Sequence, residues 1–100
     1  MSQAKQLSTM IPVVAKAFGV KIEDVFSATR RQPETTARHV MYVFLREEEH
    51  KKFADIGALF DRGHPSVVYG VKTINELASV DKKFKQTLEQ LRETCYGRQN

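Results

Sequence analysis

The stretch from Asp61 to Ile74, DRGHPSVVYGVKTI, sets a guanidinium (Arg62), an imidazole (His64) and a hydroxyl (Ser66) close together. Groups of these types serve three ends: nucleophilic catalysis, capping of a helix, or hydrogen bonding to nucleic acid. Catalysis fits poorly. His64 and Ser66 stand two residues apart at a helix start, a poor placement for a nucleophile and its base to meet. His39, His50, His64 and Cys95 lack the spacing of metal ligands. No GxxxxGK[ST] run offers a phosphate-cradling loop for ATP. No enzyme, cofactor or metal is therefore expected. His64 as a simple helix boundary and Arg62 as a solvated turn residue both stay open.

A second candidate group lies upstream. Between Phe26 and Arg46 the cations Arg30, Arg31, Arg38 and Arg46 face a single acid, Glu34, and then Glu47, Glu48 and Glu49 follow at once. The net charge of +4 is too mild to demand a polyanion, but its concentration in one segment is what a binding face needs. A solvated charged surface is the competing reading. Cys95 is the only cysteine, so no internal disulfide forms and a cytoplasmic protein is expected. MSQAKQLSTM lacks the apolar centre of a secretory signal, and no run approaches the ~18 apolar residues that a membrane span needs.

The elements that must position these groups are helical. One hundred residues suggest one domain, and no run alternates with period two. Ser8 or Thr9 can cap a first helix, in which Ile11, Val14, Ala15 and Phe18 form one stripe, Pro12 sits in the first turn and Gly19 stops the chain. A short helix over Ile22 to Phe26 turns Val25 and Phe26 inward. Residues 27–32, SATRRQ, read as loop. Pro33 opens a long helix with Ala37, Val40, Met41, Phe44 and Leu45 inward. Glu47/Lys51 and Glu48/Lys52 are i,i+4 pairs if that helix persists.

Phe53 to Phe60 forms another short helix with Ile56, Leu59 and Phe60 inward. Asp61-Arg62-Gly63 reads as a three-residue turn, in which Gly63 permits the positive φ that turns often need. A longer helix follows with Pro65 at its first position. Val67, Val71, Ile74 and Ala78 form its buried stripe, joined by Val68 and Leu77. Asp81 starts a final helix carrying Phe84, Leu88, Leu91 and Cys95. The expected layout is all-α, with about six helices. A flexible 1–7 precedes one helical domain over 8–95, and a flexible tail covers 96–100. A helix-turn-helix spans 53–78.

The longer helix carries Pro65, Tyr69, Lys72 and Glu76 opposite its buried stripe, with Ser66 and Thr73 beside them. A B-DNA major groove admits one α-helix, whose N-terminal residues meet base edges. Its first-turn N–H groups can meet a phosphate.

FADIGALFDRGHPSVVYGVKTINEL, residues 53–77, resembles the signature of the C-terminal DNA-binding domain of DnaA-type bacterial replication initiators, approximately IGxxFGGRDHTTVxHAxxKI. FGVKIEDVFSATRRQPETTARHVMYVFLRE, residues 18–47, is similar to that family's KVxDLxSKxRxxxxxxPRQxAMYLxRE. The resemblance runs over roughly residues 11–91. It implies a Trp-repressor-like helix-turn-helix fold and double-stranded DNA as partner. By position, it implies Arg30, with Arg31 beside it, in the minor groove. Arg38 matches the arginine of a basic-glutamine pair, and His39 stands where glutamine is usual; both are implied phosphate contacts. Arg62 and His64 match the family's RDH motif. Ser66 is an implied phosphate contact, and Lys72 matches a basic position.

This chain departs from the pattern at the turn, which is one residue shorter. Gly63 replaces the base-reading aspartate, and Pro65 replaces the first of two hydroxyl residues. Phosphate-binding groups survive better than base-reading ones, and base contacts are what specify sequence.

The expected function is therefore duplex DNA binding in replication initiation or a related regulatory role, by a chain that is a monomer when isolated. The DNA-facing set is Arg30, Arg31, Arg38, His39, Arg46, Arg62, His64, Pro65, Ser66, Tyr69, Lys72 and Thr73. About five neutralised phosphates would give a log K against log salt slope of roughly −4 to −5. The alternative is a protein-interaction adapter that uses the same fold. Gly63 and Pro65 motivate it, as do three glutamates beside the basic zone. A complete initiator carries an ATPase module, so the sequence reads either as an excised domain or as a small protein borrowing the fold.

Overall fold

The computed structural model describes residues 2–97, with side chains described from Thr9 onward. These residues form six helices and no strand: α1 (Ser2–Ala17), α2 (Ile22–Val25), α3 (Glu34–Glu47), α4 (Phe53–Leu59), α5 (His64–Val80) and α6 (Lys82–Tyr96). The all-α expectation holds. No helix among them is long and apolar enough to cross a membrane.

α3 is the axis. Residues Val40 through Leu45 are all buried, so this helix is apolar on nearly every side over its second half. α1, α2, α4 and α5 all pack on it, and α6 closes the far side against α1 and α5. The expected stripe of α3 is fully buried, as are Val14 and Ala15 of α1, Ile56 of α4, Val67 and Ile74 of α5, and Leu88 and Leu91 of α6.

Local chemistry explains most ends. α1 stops at a Schellman motif: Gly19, at φ 68°, donates its N–H to Lys16 O, while Val20 N–H reaches Ala15 O. Asp81 caps α6 by accepting Phe84 N–H at 3.0 Å.

Several expectations need correction. α1 begins at Ser2, so positions 8 and 9 lie inside it and are not its cap, and the backbone of residues 2–7 is helical. Ala4, Lys5, Gln6 and Leu7 are all good helix formers, and no breaker precedes them. Pro12 consequently sits in the helix interior, where it removes one intrahelical N–H. Phe26, Leu59 and Val68 are exposed, not inward. Tyr96 belongs to α6 and not to a tail: its ring packs edge-on against Phe44 and its hydroxyl donates to Glu49 Oε2 at 2.7 Å. Of the expected flexible tail, residues 98–100 lie outside the described residues.

α3 ends at Glu47, so the Glu47/Lys51 and Glu48/Lys52 pairs do not form. Glu47 and Glu48 instead meet Arg92 of α6, at 3.4 and 3.2 Å.

Candidate nucleic-acid interface

The corner between α4 and α5 is a second Schellman turn. Arg62 N–H reaches back to Gly57 O at 2.8 Å, and Asp61 N–H to Ala58 O. Asp61, not Gly63, takes the left-handed conformation, at φ 55°. Aspartate tolerates that region better than most residues. Gly63 has φ −77° and ψ 160°, extended backbone open to any residue, so its expected role in the turn is corrected. The glycine that the corner requires is Gly57, where a Cβ would stand 2.5 Å from Arg62 O.

From this corner α5 leaves with Gly63 as N-cap and Pro65 in its first turn. Gly70 lets α5 close on α3: a Cβ there would lie 2.7 Å from the Tyr42 ring and 2.8 Å from His39. With one face pressed inward, α5 leaves Pro65, Ser66, Val68, Tyr69, Lys72 and Glu76 exposed, and Thr73 half-buried.

The loop over residues 27–32 is pinned beside the start of α5. Arg38 is only 3% exposed. Its Nε donates to Val25 O at 2.7 Å, and its Nη2 to Ser27 O and Thr29 O at 3.3 and 3.2 Å. Arg62 Nη2 donates to the same Ser27 O at 2.6 Å. One carbonyl thus receives guanidinium N–H groups from α3 and from the helix-turn-helix corner. The phosphate contact expected of Arg38 is corrected: burial and two occupied nitrogens make it a bolt for the loop. Burial, together with the nearby Arg62 charge, lowers its pKa.

Side-chain turns stiffen the loop further. Ser27 Oγ donates to Asp24 O and accepts Thr29 N–H, and Thr29 Oγ1 accepts Arg31 N–H. These alternating hydroxyls were the readable sign that SATRRQ is an ordered loop. Arg30 and Arg31 are exposed at its outer edge, and neither guanidinium has a hydrogen-bond or ion-pair partner among the described residues.

Arg30, His39, Arg62, Pro65, Ser66 and Tyr69 are brought together around one open groove of about 570 Å³, with Thr29, Thr35, Arg38 and Tyr42 completing its walls. Thr35 was missed by sequence reasoning, because nothing in its neighbours marks it. His39 is half-buried between Tyr42 and the edge of Tyr69, with ring centroids at 5.6 and 6.0 Å. Burial first, then the Arg38 and Arg62 charges, push its pKa down to about 4. It is neutral at pH 7 and cannot serve as a cationic phosphate ligand.

Arg46 stands apart from this groove. Its guanidinium lies 4.2 Å over the Phe53 ring and donates to Lys51 O, while Phe53 meets His64 edge-on at 5.4 Å. It is still exposed, and the stack links it to the first residue of α5. Lys72 and Thr73 lie further along α5 and do not line the groove.

A short helix, a tight corner, an exposed second helix and an adjoining basic loop together define a helix-turn-helix domain. The family model for the bacterial DnaA protein helix-turn-helix matches residues 7–74. The chain is 32% identical over 87 residues to the chromosomal replication initiator protein DnaA of Thermus thermophilus, covering 86% of this chain and 20% of that one. Against the protein of that name from Picosynechococcus it is 31% identical over 83 residues, covering 82% and 18%. No solved structure matches. The chain belongs to the bacterial DnaA helix-turn-helix family, and spans about a fifth of the length of these relatives.

Proposed function

We propose that this chain binds double-stranded DNA in the bacterial cytoplasm, in replication initiation or its regulation, and does so as a monomer. α5 lies in the major groove, with Pro65, Ser66, Tyr69, Lys72 and Thr73 along its outer and flanking positions and His64 at its tip. Arg30 and Arg31 enter the neighbouring minor groove, whose negative potential is strongest where A·T-rich sequence narrows it. Lys72, Ser66 and Arg46 meet phosphates. Arg62 and Arg38 hold the loop, and His39 supports Tyr69 as a neutral ring.

One observation carries this reading. The Ser27 carbonyl is held jointly by Arg38 and Arg62, which ties a loop bearing two unpartnered arginines to the start of the exposed helix. A major-groove element and a minor-groove element are thereby kept at a set separation, as neighbouring grooves of one duplex require.

Four cations of this set, Arg30, Arg31, Arg46 and Lys72, displace counterions from the duplex, so the slope of log K against log salt becomes roughly −3 to −4. Anisotropy titrations of a labelled random-sequence duplex, at several salt concentrations, test it. Absence of salt-sensitive binding at tens of micromolar protein would overturn the reading. It would favour the adapter alternative, which keeps one support, the lack of hydrogen-bonding side chains at Gly63 and Pro65. Its other support weakens, because Glu47 and Glu48 pair with Arg92 and Glu49 accepts from Tyr96.

A further inference from the structure

The link between α5 and α6 carries chemistry that the fold does not use. Lys82, Lys83 and Lys85 crowd the start of α6, whose first turn holds no acid. All three are exposed, and none of their ammonium groups has a hydrogen-bond or ion-pair partner among the described residues. Cations there oppose the positive end of the helix dipole, so they weaken the helix slightly instead of supporting it. The end of the helix is already served by Asp81, which accepts Phe84 N–H. Val80 stands just before the lysines and is 82% exposed, more than any other large apolar side chain among the described residues. Lys82 and Lys85, three apart and so on one face of α6, flank an open groove of about 480 Å³, whose remaining walls are Asn75, Ala78, Ser79 and Val80.

Stability accounts for neither the lysines nor the valine, and together they select a partner. The ammonium groups call for anions, and Val80 calls for an apolar side chain. A phosphodiester backbone supplies the first and leaves Val80 uncovered. An anionic membrane is held by clusters of about 4–8 basic residues, and this corner falls short of that. An acidic peptide segment with an aliphatic or aromatic side chain among its carboxylates supplies both groups. We propose that the α5–α6 corner docks such a segment of a partner protein. Its apolar side chain sits on Val80 and Ala78, and its carboxylates meet Lys82, Lys85 and, at the rim, Lys83. The 17 residues of α5 put this corner about 25 Å from His64. Contacts at the start of α5 leave it open, so the inference goes beyond the DNA-binding reading and stands without it.

The experiment selects displayed random peptides on the immobilised protein, then titrates one recovered peptide, labelled and made synthetically, by fluorescence anisotropy. The recovered sequences are acidic, with leucine, isoleucine or phenylalanine among the carboxylates, and binding weakens as salt rises. Lys82→Glu with Lys85→Glu lowers affinity at least about tenfold, since like charges then face each other. This pair of changes does not endanger the fold, because acids suit the start of a helix. Val80→Ser lowers affinity about fourfold, the equivalent of one buried methylene. Circular dichroism checks helicity in both variants.

Recovery of neutral or basic peptides, or of none, would overturn the proposal. So would acidic peptides whose affinity ignores the charge reversal or the loss of Val80. A random-sequence duplex, or vesicles of phosphatidylglycerol in phosphatidylcholine, would take the peptide's place as occupant if they displace it and lose binding in the charge-reversed variant. A peptide that binds while the duplex titration fails overturns only the DNA-binding reading, and the reverse result overturns only this one.

Discussion

Arg38 and His39 are sequence neighbours with opposite tasks, and burial separates them. Arg38 satisfies three backbone carbonyls that would otherwise sit partly buried without donors. Arg38→Ala therefore destabilises the fold by roughly 2–4 kcal/mol, and Arg38→Lys restores little, because a point donor cannot span the three oxygens. Urea denaturation measures both variants. His39 binds its proton less readily folded than unfolded, since its native pKa of about 4 lies below the usual 6.5. Its contribution is intact above pH 6.5 and is lost as pH falls toward 4, because the unfolded chain takes up the proton first. Urea midpoints at pH 4.5, 5.5 and 6.5 should fall with acidity, and His39→Phe should flatten that trend. A trend unchanged in His39→Phe would place the acid sensitivity elsewhere.

The α4–α5 corner depends on Gly57 and not on Gly63. Gly57→Ala should destabilise by about 1–3 kcal/mol, since its Cβ meets the Arg62 carbonyl and no flexible side chain is there to yield. Gly63→Asp should be neutral or gain a few tenths of a kcal/mol, because the position is extended, its nearest neighbour to a Cβ is Pro65 Cδ at 3.6 Å, and an N-cap acceptor is added. Thermal melting of the two variants gives the contrast, and a larger loss at Gly63 would reverse the assignment of roles. Helical periodicity made the elements readable: the stripes of α3 and α6 and the proline at the start of α5 were all visible in residue order. The pinned loop was not, because Arg62 and Ser27 lie 35 positions apart and meet only after α2 and the corner have both packed on α3. For the same reason Arg38 read as a surface cation, although a hydrophobic stripe on either side of it already placed it near the core. The start of α1 was missed because good helix formers without an apolar stripe carry no periodic signal.

Charge is divided along α3 except at Arg46, which lies in its last turn with its guanidinium over Phe53 and donating to the Lys51 carbonyl. The arginine loop precedes the first residue of α3, and Glu47–Glu49 sit at and just beyond its last. A 14-residue helix puts about 21 Å between them. At about 0.15 M salt the screening length is ~8 Å, so the acids scarcely influence a phosphate held by the loop, whereas at about 0.01 M it reaches ~30 Å and they do. Glu47→Gln with Glu48→Gln should thus change duplex affinity less than about twofold at the higher salt and raise it several-fold at the lower. Both side chains pair with a partly exposed Arg92, so the stability loss stays under about 1 kcal/mol. An affinity gain as large at 0.15 M as at 0.01 M would mean that these carboxylates face the duplex directly. The division along α3 would then not be what keeps the basic surface clear of its own acids.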